Sequence, residues 1–319
     1  MFDLFFLIIG IVLLTIGGEL LIRGSLSAAS FFKVSPLLSG LIIVGFGTSA
    51  PEFAVSVDAA INLRADIAIG NVVGSNIGNI LLILGLCALI KPLAVRPLAL
   101  KRDALTVMLS SVLLLVLVGG SSLARFDAII LAIALLGYLL LAYFSQRHTS
   151  SPSAELHKAE ATEVTGIPGS TLKTIVYILL GLLLLIAGAQ VLLLGAIGIA
   201  ESFEISEAFI GLILVAVGTS LPELSISVLA TIRGHADVAV GNILGSNIFN
   251  TLGILGVSAM LQPLPVNQRI LDFDLWIMLG VSMLLFLFLY TGKKVTRREG
   301  CILLFGYLAY VFFSFTLFS

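Results

Sequence analysis

GTSAPE (Gly47–Glu52), followed by AIGNVVGSNIGN (Ala68–Asn79), returns later in the chain as GTSLPE (Gly218–Glu223) and AVGNILGSNIFN (Ala239–Asn250). Both copies run on into Ile-Leu-Gly and then Pro-Leu. Adding 171 to any residue number in 45–93 gives its counterpart in 216–264 without a gap. About half of these positions are identical, which marks an internal structural repeat. Each copy sets one carboxylate and several small oxygen-bearing side chains inside an otherwise apolar run. Duplicated in this way, the pattern points to a cation pathway through a membrane.

The rest of the chain agrees with a membrane setting. Of its 319 residues 59% are hydrophobic and 11% charged, and the mean hydropathy is +1.17. A soluble protein of this size needs far more polar surface. A net charge of −1 offers no basic face for nucleic acid. Cys87 and Cys301 stand in apolar runs and read as small hydrophobes. The first apolar run lacks a basic leader and a small-residue cleavage site, so it reads as a retained span.

A span needs about 20 apolar residues. Ten segments qualify, near 4–23, 36–61, 67–90, 103–119, 126–144, 172–196, 207–231, 238–261, 271–290 and 300–317. The one long polar stretch, 145–171, separates the first five from the second five. Because five is odd, the second copy enters the membrane from the opposite side. The expected fold is therefore an all-α polytopic membrane protein, ten transmembrane helices forming two inverted five-helix repeats. Residues 1–144 make the first repeat, 145–171 a cytoplasmic linker, and 172–319 the second repeat.

Fourteen of the seventeen Lys and Arg residues fall in one set of loops, leaving Arg64, Arg125 and Arg269 in the other. That second set also carries the acidic loop Glu201, Glu204 and Glu207. By the positive-inside tendency the first set is cytoplasmic, which puts both termini outside. The host is expected to be the cell (inner or plasma) membrane.

Within span two, Pro51 lacks an N–H and its ring clashes with the carbonyl of Gly47. The helix should break there and free carbonyls around Gly47 and Thr48, which lipid tolerates only beside a cavity or within protein. Glu52 then begins the next half-helix, where the macrodipole favours an anion. Gly218, Thr219, Ser220, Pro222 and Glu223 repeat the arrangement in span seven. Kinks of this kind are common in membrane helices, but a carboxylate after each one is costly and implies a role. In spans three and eight, Asn71, Ser75 and Asn79, and likewise Asn242, Ser246 and Asn250, recur every fourth residue and share a helix face. Ser75, Asn79, Ser246 and Asn250 read as cation ligands. Asn71, Asn242, Asn76 and Asn247 read equally well as supports of the broken helices.

Carboxylate, amide, hydroxyl and carbonyl oxygens suit hard cations such as Ca²⁺ and Na⁺. The three histidines, His148, His157 and His235, all fall in loops and give no basis for a zinc or copper centre or an intramembrane enzyme. Two glutamates balance one Ca²⁺ or several Na⁺ but not both together, as an antiporter requires. Without a cation the carboxylates repel each other, so protons are expected to compete for them. No cofactor is expected. A Ca²⁺/H⁺ antiporter and a passive cation channel are the alternatives.

The duplicated GTS-PE and GN-GSNI motifs resemble those of the sodium/calcium exchanger family, within the cation/calcium antiporters. The short linker, with no large insert after span five, is that of a prokaryotic-type member. The resemblance implies Na⁺/Ca²⁺ exchange by alternating access, with spans one and six sliding as a gate past a fixed core and a monomeric transport unit. It implies that Glu52 and Glu223 bind Ca²⁺ or share Na⁺, while Thr48, Ser49, Thr219 and Ser220 add carbonyl or hydroxyl oxygens. Gly45 and Ala216 match positions whose carbonyls serve an outer Na⁺ site, and Ser75, Ser246, Asn79 and Asn250 match ligands of the third and eighth helices. Several members carry Asp where this chain has Asn250, and the amide argues against K⁺ co-transport. Proton-coupled members show a GN…E pattern in place of GTS-PE.

Overall fold

The computed structural model describes residues 2–32, 34–94, 97–147, 170–202, 218–292 and 294–318. Its two longest helices are span one, Phe2–Phe32, and span six, Thr171–Ser202. Both extend well past the expected segments. At 31 residues span one is about 46 Å long, against a hydrocarbon core of about 30 Å. The extra turns are tied down by polar side chains. Ser27 Oγ lies 2.7 Å from Thr174 Oγ1, and Ser25 Oγ lies 2.8 Å from Ser39 Oγ.

Glycines spaced seven apart bring these helices together antiparallel: Gly10, Gly17 and Gly24 on span one, Gly181, Gly188 and Gly195 on span six. A Cβ on Gly17 would fall 2.8 Å from Leu185 N, and one on Gly181 would fall 2.9 Å from Gly17 O. Such backbone-to-backbone contact is available only to glycine and gains dispersion energy that lipid cannot match. Leu14, Leu21, Ile22, Leu26, Leu185 and Ala189 form a cluster with the start of span eight and the second half of span seven. The main core is separate and is built from spans two to five and seven to ten.

Seven described helices are long and apolar enough to cross a membrane, and the pair Gly40–Thr48 and Ala50–Ile61, bent by 49°, makes an eighth. Of the other two expected spans, span seven is described from Gly218 and contributes the short helix Leu221–Ile232, while residues 203–217 lie outside the described residues. Span ten lies within the 22-residue helix Arg297–Phe318. Helix Arg125–Arg147 carries span five three residues past 144, and 148–169 are outside the described residues.

The connections gather in the two sets that the charge count separates. Glu19 pairs with Arg23 at 2.8 Å and with Arg233 at 3.1 Å, joining span one to the end of span seven. Leu93–Ala94 pairs antiparallel with Lys294–Val295, and Arg297 Nη2 donates to Ile90 O at 3.2 Å. In the other set Ser122–Leu123 pairs with Leu264–Pro265, and Asn267 Nδ2 donates to Asp66 Oδ2 at 3.4 Å. Asp66 and Asp237 lie just inside spans three and eight and do not cap them. The capping positions are Arg64 and His235, and each aspartate sits inside the first turn, where the helix dipole still favours it.

Each repeat also carries a clasp between its fourth and fifth spans. Asp103 pairs with Arg102 Nε at 2.7 Å and accepts the Tyr138 hydroxyl at 3.0 Å. Its counterpart Asp274 lies 3.5 Å from Arg269 Nε and accepts the Tyr310 hydroxyl at 3.0 Å. Asp103 is fully buried, so removing its charge leaves Arg102 without its carboxylate, held only by Ala142 O and the Ser145 hydroxyl among the described residues. Asp103→Ala is expected to cost about 3–5 kcal/mol and Tyr138→Phe about 1 kcal/mol. Thermal unfolding followed by a fluorogenic thiol probe at buried Cys87 reads both losses.

Candidate cation site

The break in span two falls at Ser49, whose backbone (φ −78°, ψ 10°) leaves the helical region between Phe46–Thr48 and Ala50–Ile61. Ser220 repeats it at φ −87°, ψ 8°, immediately before Leu221–Ile232. Pro51 and Pro222 each occupy the first turn of the following helix, where a missing N–H costs nothing. Glu52 and Glu223 therefore both sit in the first turn of a half-helix. They are 1% and 0% exposed, and isolation of such a group in lipid costs about 3 kcal/mol or more.

The two breaks face each other and exchange hydrogen bonds. Ser49 Oγ donates to Glu223 Oε1 at 3.1 Å, and Ser220 Oγ donates to Glu52 Oε1 at 3.1 Å. Ser220 Oγ also lies 3.4 Å from Ser75 Oγ. Thr48 Oγ1 donates to Asn242 Oδ1 at 3.0 Å, and Thr219 Oγ1 reaches Asn71 Oδ1 at 3.5 Å. The Ser49–Glu223 and Thr48–Asn242 bonds recur as Ser220–Glu52 and Thr219–Asn71 with the two repeats exchanged, so the motif copies meet about a pseudo-two-fold axis. The mates Asn76 and Asn247 touch across that axis, Asn76 Nδ2 lying 3.5 Å from Asn247 O.

Asn71 and Asn242 hold the broken helices. Asn71 Nδ2 donates to Glu52 O at 3.1 Å and to Ser56 Oγ at 2.9 Å, and Asn242 Nδ2 donates to Glu223 O at 3.3 Å and to Ser227 Oγ at 2.8 Å. Asn71→Ala leaves the Glu52 carbonyl without its buried donor. The Ca²⁺ concentration for half-maximal uptake is expected to rise about tenfold, the usual effect of losing a group that orients a ligand. Radioactive-calcium uptake measures it, and Asn242→Ala should match it.

Near Asn79 and Asn250 both helices widen into π-turns, Asn79–Leu84 and Phe249–Ile254. Such widening re-aims side chains and collects at functional positions. Nothing in the sequence signals it. Asn250 Nδ2 donates to Asn76 Oδ1 at 3.2 Å. Both amide atoms of Asn79, the Asn250 Oδ1, and one carboxylate oxygen each of Glu52 and Glu223 are buried without a protein partner. Ser246 Oγ donates to Gly45 O at 3.0 Å, which brings that carbonyl into the same cluster. The structure thus gathers Glu52, Glu223, Thr48, Ser49, Thr219, Ser220, Ser75, Ser246 and Gly45 through shared bonds, while Asn250 joins Asn76 instead and Asn79 is buried on the same helix face as Ser75. Ala216 lies outside the described residues. A buried, oxygen-rich cluster with two carboxyl groups and spare lone pairs is chemically fitted to hold a hard cation.

A family model described as sodium/calcium exchanger protein matches residues 2–144 and 173–316. This chain belongs to the sodium/calcium exchanger family. The exchanger is 37% identical to the putative antiporter CaxA of Alkalimonas amylolytica over 98% of each chain. It is 31% identical to the sodium/calcium exchanger MaX1 of Methanosarcina acetivorans over 96% of each. Among solved structures it resembles the sodium-calcium exchanger NCX_Mj, with a TM-score of 0.82 and 30% identity across 97% of this chain and 98% of that one. The exchanger's fold, a helical membrane protein of paired repeats, is that of its family.

Proposed function

We propose that this protein is a secondary active antiporter that exchanges Na⁺ for Ca²⁺ by alternating access. The reading is carried by the crossed bonds Ser49–Glu223 and Ser220–Glu52, which bind two carboxylates from opposite halves into one buried cluster. One Ca²⁺ matches the charge of that pair, and Na⁺ ions taking the same oxygens exclude it. Mutual exclusion at a single site, with access alternating between the two sides and no free return of the empty site, yields exchange. Thr48, Thr219, Ser75, Ser246, Asn79, Asn250 and the carbonyls of Gly45 and Ala216 complete the ligand set. Asn250, uncharged, limits the site to two acids, so we expect no K⁺ requirement.

We place both termini outside the cell membrane on the charge of the loops, and take one chain as the transport unit. In vesicles, an imposed Na⁺ gradient should drive radioactive-calcium uptake while a pH gradient alone drives none. Uptake driven by the pH gradient would favour Ca²⁺/H⁺ exchange, and flux with no counter-ion would favour a channel. Protons compete for the same carboxylates, and a protonated carboxyl has no charge to offer a cation. Uptake should therefore fall as pH is lowered at constant Na⁺ gradient; a rate flat well below neutral pH would contradict proton competition.

A further inference from the structure

The GTS-PE motif begins with glycine in both halves, and neither the break nor the ligands explain why. The neighbours of these glycines do. A Cβ on Gly47 would lie 2.7 and 3.0 Å from the two methyl carbons of Leu182, and a Cβ on Gly218 would lie 2.9 Å from Leu193 Cδ1. Both leucines belong to span six. Each glycine is thus a seat for one leucine, immediately before the break that leads to Glu52 or Glu223.

The two seats lie on opposite sides of the carboxylates. Gly47 and Gly218 each precede their glutamate by five residues, and the repeats run in opposite directions across the membrane. Leu182 and Leu193 are eleven residues apart, about 16 Å along one helix, which fits one seat on either side of the midplane. Most residues behind the seats are closed to solvent: Thr48, Ser49 and Glu223 are 0% exposed, Glu52 1% and Ser220 8%, while Thr219 is half-buried. Span one does not duplicate the arrangement: of the repeat counterparts, Ile11 is 55% exposed, and Ile22, though buried, supplies none of the atoms nearest a Cβ on Gly47, which all belong to Leu182.

We propose that Leu182 and Leu193 are the two hydrophobic seals of the cation site, one on each side, carried by span six alone. The inference rests on reading the Glu52–Glu223 cluster as the transported-ion site. Because one helix bears both leucines, a slide of span six along its axis moves both seals, whereas a tilt about one seat opens the other side alone. A dry leucine in a glycine seat blocks a hydrated cation, and a side chain at either glycine would push the leucine out. The leucines are positioning residues: they touch the helix breaks, not the cation.

Hydrogen–deuterium exchange of the detergent-solubilised full chain tests this without requiring transport. Leu182→Ala should speed amide exchange about tenfold or more in 46–53 and leave 219–225 unchanged; Leu193→Ala should do the reverse. Tenfold corresponds to about 1.4 kcal/mol of lost protection. Leu182→Val and Leu193→Val, which shorten the side chain by one carbon, should give the same crossed pattern at smaller size should an alanine variant fold poorly. In vesicles the double variant Leu182→Ala with Leu193→Ala, open on both sides, should also leak Ca²⁺ without counter-ion, and adding Glu52→Gln should abolish that leak. Exchange that rises in both segments together, or in neither, overturns the seals. If the crossed pattern appears while the unmodified protein shows no Na⁺-driven Ca²⁺ uptake, the seals stand and the Na⁺/Ca²⁺ reading falls.

Discussion

Glu52→Gln or Glu223→Gln lowers Na⁺-driven Ca²⁺ uptake by about 100-fold or more, the scale on which metal sites lose affinity when their organisation is broken. The amide keeps the shape of the carboxylate and its bond from Ser220 or Ser49, so the protein should fold and its thermal midpoint should hold or rise. It should hold because each carboxylate is buried with one oxygen unpartnered, and neutralising such a group removes a desolvation cost. Loss of transport at preserved stability is the signature of a site that stores charge for a cation. The two variants should be equivalent, since the halves present the same bonds. A variant with normal uptake would move the site elsewhere.

Gly181→Leu should be nearly as damaging, for a different reason. Its Cβ would fall 2.8 Å from Leu21 N and 2.9 Å from Gly17 O, atoms of the facing backbone that cannot turn aside. Spans one and six would have to separate, at an overpacking cost of about 1–3 kcal/mol or more. Because their shared surface is distinct from the main core, the damage should fall on movement of the pair before it reaches the rest of the fold. We expect uptake to drop at least about tenfold. Gly137, with no atom within 4 Å of a Cβ, is the control, and Gly137→Leu should exchange ions normally. Uptake by purified protein in vesicles, scaled to the amount reconstituted, compares the two.

Much of this architecture can be read from residue order because the repeat supplies its own check. One Pro kink followed by Glu is ambiguous, whereas Pro51–Glu52 and Pro222–Glu223 at a fixed offset are not. Spans one and six proved harder. Glu19 and Arg23 look like the end of an apolar run, yet the helix continues to Phe32 because Glu19 is paired twice and Ser25 and Ser27 find partners on neighbouring helices. Tertiary contacts set that end, and local composition cannot report them. The clasps escape notice because Arg102 is adjacent to Asp103 while Arg269 is five residues before Asp274, so no shared spacing marks them. The π-turns at Asn79 and Phe249 have no sequence signal at all. Asn71 and Asn242 were legible as polar residues on the right face, but their choice between ligand and brace needed their partners, Ser56 and Ser227.

The most direct measurement is the position of Ca²⁺ itself, located by long-wavelength anomalous diffraction from crystals grown with Ca²⁺ and without Na⁺. The account predicts one peak, within about 2.3–2.6 Å of at least one oxygen from each of Glu52 and Glu223, that disappears when Na⁺ replaces Ca²⁺. A peak bound by only one of the two glutamates, two separate peaks with one glutamate each, or Ca²⁺ that persists at saturating Na⁺ would contradict a single site shared by both halves.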